Sequence, residues 1–300
     1  MGAAVVVGEC MVELSLAGDR QAAIGYAGDT FNTAVYLQRL GVPTRYATAL
    51  GGDDPFSQGI LALMREEGVS DDLVVRVESR LPGLYAIETD ERGERRFHYW
   101  RGASPARQLM DLVDLEVLRE AVAKAPLTYV SAITLAILGE AGRTKLIELL
   151  VAAAKAGAPI ALDTNYRARL WTSPREARSA VEALAPHCAY VSMSAADVEG
   201  LGLSAGQSAV MWARWGAQAV VRRDDNSIEV LDRTGHQQFA PAPPIAVVDT
   251  TGAGDAFNAG YLAARLQGSP VADAVDRARR LAGAVVAHRG AIIPRSAMPR

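Results

Sequence analysis

Cysteine is nearly absent: the 300 residues carry two, Cys10 and Cys188, far apart and without metal-ligand spacing. That excludes a disulfide framework and suits a reducing cytoplasm, where we expect the protein to reside. The four histidines, His98, His187, His236 and His288, show no pairing that would hold a metal. A dominant charge is missing too. Lys and Arg number 31 against 34 Asp and Glu, a net of −3, which argues against nucleic acid or an anionic membrane as partner. No uncharged run reaches the roughly 18 apolar residues of a membrane span. The longest, Ala125 to Gly139, contains Pro126. The opening MGAAVVVGECMVEL has a short apolar run and no basic flank, so it reads as a first β-strand and not a signal peptide. There is no G-x-x-x-x-G-K-[ST], which excludes a P-loop enzyme, and no G-x-G-x-x-G after the first strand to support dinucleotide binding. Repeats and low-complexity tracts are lacking.

What is present suffices for a large core. Half the residues are hydrophobic and 22% are charged, and at about 150 residues per domain the length fits about two domains, or one large α/β domain with an appendage. From Pro105 onward β-branched runs alternate with helical patterns. Strands are expected at Leu127 to Ile133, Pro159 to Asp163, Ala189 to Met193 and Gln218 to Arg222. Helices are expected at Glu140 to Ala156, Pro174 to Leu184 and Gln207 to Trp215. This order gives right-handed βαβ crossovers and a parallel sheet covered on both faces. Ala3 to Glu9 joins it as the first strand, followed by a helix from Thr30 to Leu40 that stops at Gly41. Gly83 to Gly102 breaks the rhythm: it reads as two strands joined by a polar turn at Glu91 to Glu94, with further strands from Met11 to Gly25. The expected division is an α/β core of residues 1–10, 27–80 and 104–300, and a β lid of residues 11–26 and 81–103. Exposed lid edges favour a homo-oligomer.

The sharpest chemical feature is VVDTTGAGDAFNAGYLAARL, Val247 to Leu266, a strand-like start running through Gly252, Ala253 and Gly254 into a helix. Small residues let the backbone approach a ligand, and the first helical turn offers unpaired N–H groups to developing negative charge. Asp255, at the same helix start, can accept a proton from an attacking hydroxyl. A carboxylate at a helix N-terminus can equally be there for the dipole alone.

The string DTTGAGDAFNAG resembles the C-terminal signature of the PfkB (ribokinase-like) carbohydrate kinases, and YAGDTFNTAVYLQRLG resembles their sugar-binding segment, with Asp29 in place of a second glycine. The resemblance implies a ribokinase-like α/β fold: a mostly parallel central sheet covered by helices on both faces, with a small β-sheet lid. It implies ATP and Mg2+ as cofactors, Asp255 as catalytic base, and Gly252, Ala253 and Gly254 as an N–H anion hole. Gly28, Asp29 and Asn32 would hold acceptor hydroxyls, while Asp29 or Thr30 also suits a helix cap.

The acceptor is argued from arginines. Tyr99 and Arg101 share a face of the second lid strand, and Asn165 and Arg167 follow a parallel strand, where open α/β sheets bind ligands. Two arginines at one small site suit a carboxylate, although each could simply pair with a nearby acid. LPGLYAIETDERGERRFHYWR, DTNYRARLW and RGAIIPRSAMP resemble the sugar-acid branch of the family, which acts on 2-keto-3-deoxygluconate. That resemblance implies Tyr85, Tyr99, Arg101 and Arg167 around the carboxylate and keto end, with Asp255 at the C6 hydroxyl. Asn165, Arg167, Ser194, Arg222, Gly252 and Gly254 would lie on the nucleotide side. Fructose or another keto sugar acid as acceptor, or a silent sugar-acid-binding relative, are the alternatives.

Two departures from the family pattern stand out. RRDDNS, Arg222 to Ser227, replaces a glycine-containing turn, and Asp224 and Asp225 bring negative charge toward the expected nucleotide, predicting weakened ATP affinity unless they face solvent or magnesium. In SMSAADVEGL, Asp197 stands where a glutamate usually organises magnesium, here through water, yet Ser194 and Asp197 also fit a plain helix start. Trp171, Trp212, Trp215 and Cys10 read as packing residues.

Overall fold

The computed structural model describes residues 2–17, 21–89 and 95–299. In chain order the strands are β1 (Ala4–Val7), β2 (Met11–Ala17), β3 (Gln21–Ala27), β4 (Thr44–Gly51), β5 (Val74–Val77), β6 (Leu84–Thr89) and β7 (Arg95–Trp100). They continue as β8 (Thr128–Ser131), β9 (Ile160–Asp163), β10 (Tyr190–Ser194), β11 (Gln218–Arg222), β12 (Ile228–Asp232) and β13 (Gly235–Phe239). The main sheet has the order β13-β12-β11-β10-β9-β8-β1-β4-β5. Every pair from β11 to β5 is parallel, and β12 and β13 add an antiparallel edge. The central strands AVVV, TYVS and IALD are buried at every position, as expected where helices cover both faces of a parallel sheet. Among the described residues no helix is long and apolar enough to cross a membrane.

Strand order places the site. β1 lies between β4 and β8, so the chain runs outward on one side through β4 and β5 and returns on the other at β8. A crevice opens at such a reversal, outside the carboxyl ends of the strands. Glu9 follows β1, Asp163 ends β9, Ser194 ends β10 and Arg222 ends β11. The helices Asp29–Arg39 and Ala253–Leu266 both begin at this edge. A Cβ on Gly28 would stand 2.1 Å from the Glu9 carbonyl oxygen, so only glycine lets the first of them start this close to β1.

The second sheet has the order β3-β2-β6-β7, with β2 parallel to β6 and the other pairs antiparallel. Its register aligns Glu13, Tyr85 and Tyr99 in one row, on the cavity side, while Ile24 and Trp100 on the opposite face are 59% and 62% exposed. The turn expected at Glu91 to Glu94 lies outside the described residues.

Three local expectations are corrected. The strand expected through Ile133 ends at Ser131, whose hydroxyl accepts from the Thr134 amide at 3.3 Å and starts the helix Ala132–Ile137. The run leading to Thr250 is no strand: prolines at 241, 243 and 244 remove ladder donors, and Val247 and Val248 are exposed. Neither Asp29 nor Thr30 caps its helix. Gly28 is the N-cap, without a side-chain bond, and Asp29 is the first helical residue. Cys10, Trp171 and Trp212 are buried, the last completely. The Trp215 side chain lies outside what is described.

Candidate active site

A cavity of about 590 Å³ lies between the lid and the carboxyl edge of the main sheet. It gathers Gly28, Asp29, Asn32, Tyr85, Tyr99, Arg101, Asn165, Arg167, Ser194, Asp197, Arg222, Gly252, Gly254 and Asp255. The sequence named all of these; Ala253 is the one candidate not on the wall.

Asp255 lines the cavity and is 8% exposed. Asn32 Nδ2 donates to its Oδ2 at 2.8 Å, and Asn165 Nδ2 donates to Asp29 Oδ2 at 3.0 Å. Burial pushes the Asp255 carboxyl well above the usual carboxylate range, the Asp29 charge adds to this, and the Asn32 bond partly opposes it. A carboxylate with raised proton affinity is suited to taking a proton from an alcohol.

The loop before Asp255 is shaped as a cradle of backbone amides. Gly252 adopts φ +76°, and a Cβ there would meet the Ala291 carbonyl oxygen at 2.8 Å, so glycine is required on both counts. The amides of Gly254 and Asp255 take no partner among the described residues. The Ala253 amide differs from expectation: it donates to the Thr250 carbonyl at 3.2 Å, closing a turn. Upstream, Asp249 accepts from the amides of Thr251 at 2.9 Å and Gly290 at 2.7 Å, and from Arg95 Nη1 of the lid. Arg95 Nη1 also reaches Thr251 Oγ1 at 3.0 Å. Burial alone would raise the Asp249 carboxyl; these bonds instead hold it down at about 2.

Arg222 reaches the wall through a buried network. Its Nη1 donates to Ser192 Oγ and Asn258 Oδ1, each at 2.6 Å, and its Nη2 lies 3.4 Å from Asp163 Oδ1. Asn258 Nδ2 donates to Asp163 Oδ2 at 2.8 Å. Burial raises the Asp163 carboxyl despite the Arg222 charge.

At the lid end, Tyr85 and Tyr99 stack with ring centres 5.6 Å apart, and Tyr85 donates to Glu13 Oε2. Arg101 donates from Nη2 to Glu9, forming an ion pair 8% and 3% exposed, while Arg101 Nε and Glu9 Oε1 have no partner among the described residues. Arg167 lies 3.4 Å from Asp197, and Arg169 stacks its guanidinium 3.8 Å over the Tyr99 ring.

Ser194 Oγ accepts from the Asp197 amide at 3.0 Å, so the helix-start reading of this pair holds. Asp197 nonetheless lines the cavity and could hold magnesium waters. Among the described residues no group of three or more Asp, Glu, His or Cys is placed to hold a metal. Asp224 and Asp225 are exposed in the β11–β12 turn, where Asp225 Oδ1 accepts from the Ser227 amide at 2.9 Å, and neither lines the cavity.

Sequence reasoning missed Glu9, Asp163, Asn258 and Arg169. Glu9 and Asp163 sit at strand ends, and Asn258 lies one helical turn beyond Asp255, so position alone could have flagged them.

A buried carboxylate beside open helix-start amides, in a crevice under a β lid, has the makings of a small-molecule kinase. A model described as pfkB family carbohydrate kinase matches residues 1–298, and the chain belongs to that family. It is 39% identical over 314 residues to 2-dehydro-3-deoxygluconokinase of Dickeya dadantii, covering 98% of this chain and 97% of that one. The protein of the same name from Escherichia coli is 38% identical over 314 residues, with 98% of each chain covered. A solved 2-dehydro-3-deoxygluconokinase from Thermotoga maritima superposes with a TM-score of 0.83 at 21% identity, over 98% of this chain and 96% of that one, and shares the fold.

Proposed function

We propose that the chain transfers the γ-phosphoryl group of ATP to the C6 hydroxyl of 2-keto-3-deoxy-D-gluconate, giving the 6-phosphate and ADP. The observation that carries this reading is Asp255, buried beside the open amides of Gly254 and its own backbone and facing the cavity that the arginines line. The relatives named 2-dehydro-3-deoxygluconokinase support the acceptor.

Asn32 fixes Asp255 Oδ2, and Oδ1 takes the C6 hydroxyl proton as that oxygen attacks phosphorus in line with the leaving ADP oxygen. The amides of Gly254 and Asp255 stabilise charge on the transferring group. Gly28, Asp29 and Asn32 hold acceptor hydroxyls, and Tyr85, Tyr99, Arg101 and Arg167 surround its acid end. Asn165, Arg167, Ser194, Arg222, Gly252 and Gly254 face the nucleotide. A bound magnesium ion would neutralise triphosphate charge, with Asp197 holding its waters. Residues 11–26 and 81–103 act as the lid that excludes water, which would otherwise compete as acceptor. The exposed Ile24 and Trp100 favour self-association through the lid's outer face, and two free buried thiols suit the cytoplasm.

The test is ADP release with magnesium and ATP, offering 2-keto-3-deoxygluconate, fructose, ribose and adenosine in parallel. Turnover of the keto acid alone is expected. Turnover of a neutral sugar in preference would reject the acceptor, and failure to bind ATP would reject the kinase reading.

A further inference from the structure

Among the described residues four guanidinium groups line the cavity, and three are already balanced by carboxylates. Arg101 pairs with Glu9 in a buried contact, Arg222 with Asp163 at 3.4 Å, and Arg167 with Asp197 at 3.4 Å. Arg169 has neither an ion pair nor a hydrogen bond among the described residues; the aromatic face of Tyr99, 3.8 Å away, is its support. The wall also carries, among the described residues, five carboxylates, Glu9, Asp29, Asp163, Asp197 and Asp255. An anionic acceptor entering such a site is repelled unless it meets a cation whose charge is not spent. Arg101 keeps a free, buried Nε–H, which can serve a neutral keto or hydroxyl oxygen, but Glu9 cancels its net charge. Arg169 lies two residues past Arg167, in the short turn Ala168–Leu170, beside the Tyr85–Tyr99 stack. The ring supports the guanidinium from one side by a cation–π contact and leaves its N–H donors open to an approaching carboxylate.

We infer that Arg169 makes the site selective for an acid, supplying from its seat on Tyr99 the unbalanced positive charge that receives the acceptor's carboxylate. This deepens the sugar-acid reading and rests on it.

The experiment compares the unaltered protein, Arg169→Gln and Arg169→Lys on 2-keto-3-deoxygluconate and on its C1 carboxamide, with ATP varied separately. Loss of one charge-assisted contact is expected to raise KM for the acid by about 10- to 100-fold in Arg169→Gln. The value of kcat should stay within about threefold, because the contact is made equally in ground and transition states. KM for ATP and for the carboxamide should not move, and Arg169→Lys should recover part of the acid's affinity. An unchanged KM for the acid in Arg169→Gln overturns the inference alone, as does an equal rise for acid and carboxamide. Absence of turnover of the acid by the unaltered protein overturns the acceptor reading and this inference with it.

Discussion

Asn32 and Asp255 stand 223 positions apart and meet in the wall of the cavity, where the Asn32 amide donates to Asp255 Oδ2 at 2.8 Å. The bond ties the first turns of two helices that start at the same sheet edge, and it engages one of the two carboxylate oxygens. It works against burial and the Asp29 charge, which together favour the protonated acid. Keeping Asp255 ionised in this site therefore costs the fold stability.

That cost gives a paired prediction for Asp255→Asn. Turnover should fall by about 10²- to 10⁴-fold, the range for losing a general base. Stability should move the other way. A carboxyl whose folded pKa is raised binds protons more tightly when folded, so it destabilises the fold as pH rises from about 4, the unfolded value, toward the raised folded value. Above that window the variant should melt higher than the unaltered protein, and below about pH 4 the two should converge. Thermal melts across pH check this, and a lower Tm for the variant at pH 7 would contradict it.

The Glu9–Arg101 pair is almost fully buried, so removing one partner strands the other. Glu9→Gln or Arg101→Met alone should cost about 3 kcal/mol or more, read in a denaturant titration. The double variant should lose less than the sum of the two, because neither charge is left uncompensated. Strict additivity would mean the pair contributes nothing as a pair.

The parts of the site that lie together along the chain were legible before the fold. Gly252, Gly254 and Asp255 share one short string: a helix start offers the amides, while the role of Asp255 rested on the resemblance of DTTGAGDAFNAG to the family signature. Tyr99 and Arg101 followed from strand alternation, and Asn165 and Arg167 from the strand-end rule. What stayed hidden depends on tertiary partners. Nothing local shows that Arg101 meets Glu9, 92 positions away, or that Asn258 meets Asp163, 95 positions away. The Leu127 to Ile133 run hid its boundary because no glycine or proline marks it, and only the Ser131 cap turns the chain into a helix. Asp29 read as a cap because caps are usually acidic or hydroxylic; its carboxylate is instead held by Asn165.

Asp224 and Asp225 raised the expectation of weakened nucleotide binding unless they face solvent, and both are exposed and off the cavity wall. Charges facing solvent are screened beyond about 8 Å at physiological salt. Replacing both with Asn should leave KM for ATP within about twofold at that ionic strength, with any difference shrinking as salt is added. A tenfold improvement would place the turn against the nucleotide after all.

Arg95 and Asp249 join the lid to the loop that carries the open amides of the cradle. The Asp249 carboxyl is held at about 2, below its unfolded value of about 4. A depressed carboxyl contributes stability that is complete above the unfolded pKa and is lost as pH falls from about 4 through about 2. Asp249→Asn should therefore lower Tm by a few degrees at pH 6, with the gap closing progressively below about pH 4. Arg95→Met removes the lid's donor and leaves the amides of Thr251 and Gly290 on the carboxylate, so its stability loss should be the smaller. Its effect should appear instead as a raised KM for the acceptor, since the lid loses a contact that holds it over the cradle. Equal Tm losses for the two variants, with KM unchanged in Arg95→Met, would show that the contact steadies the loop and has no part in holding the lid.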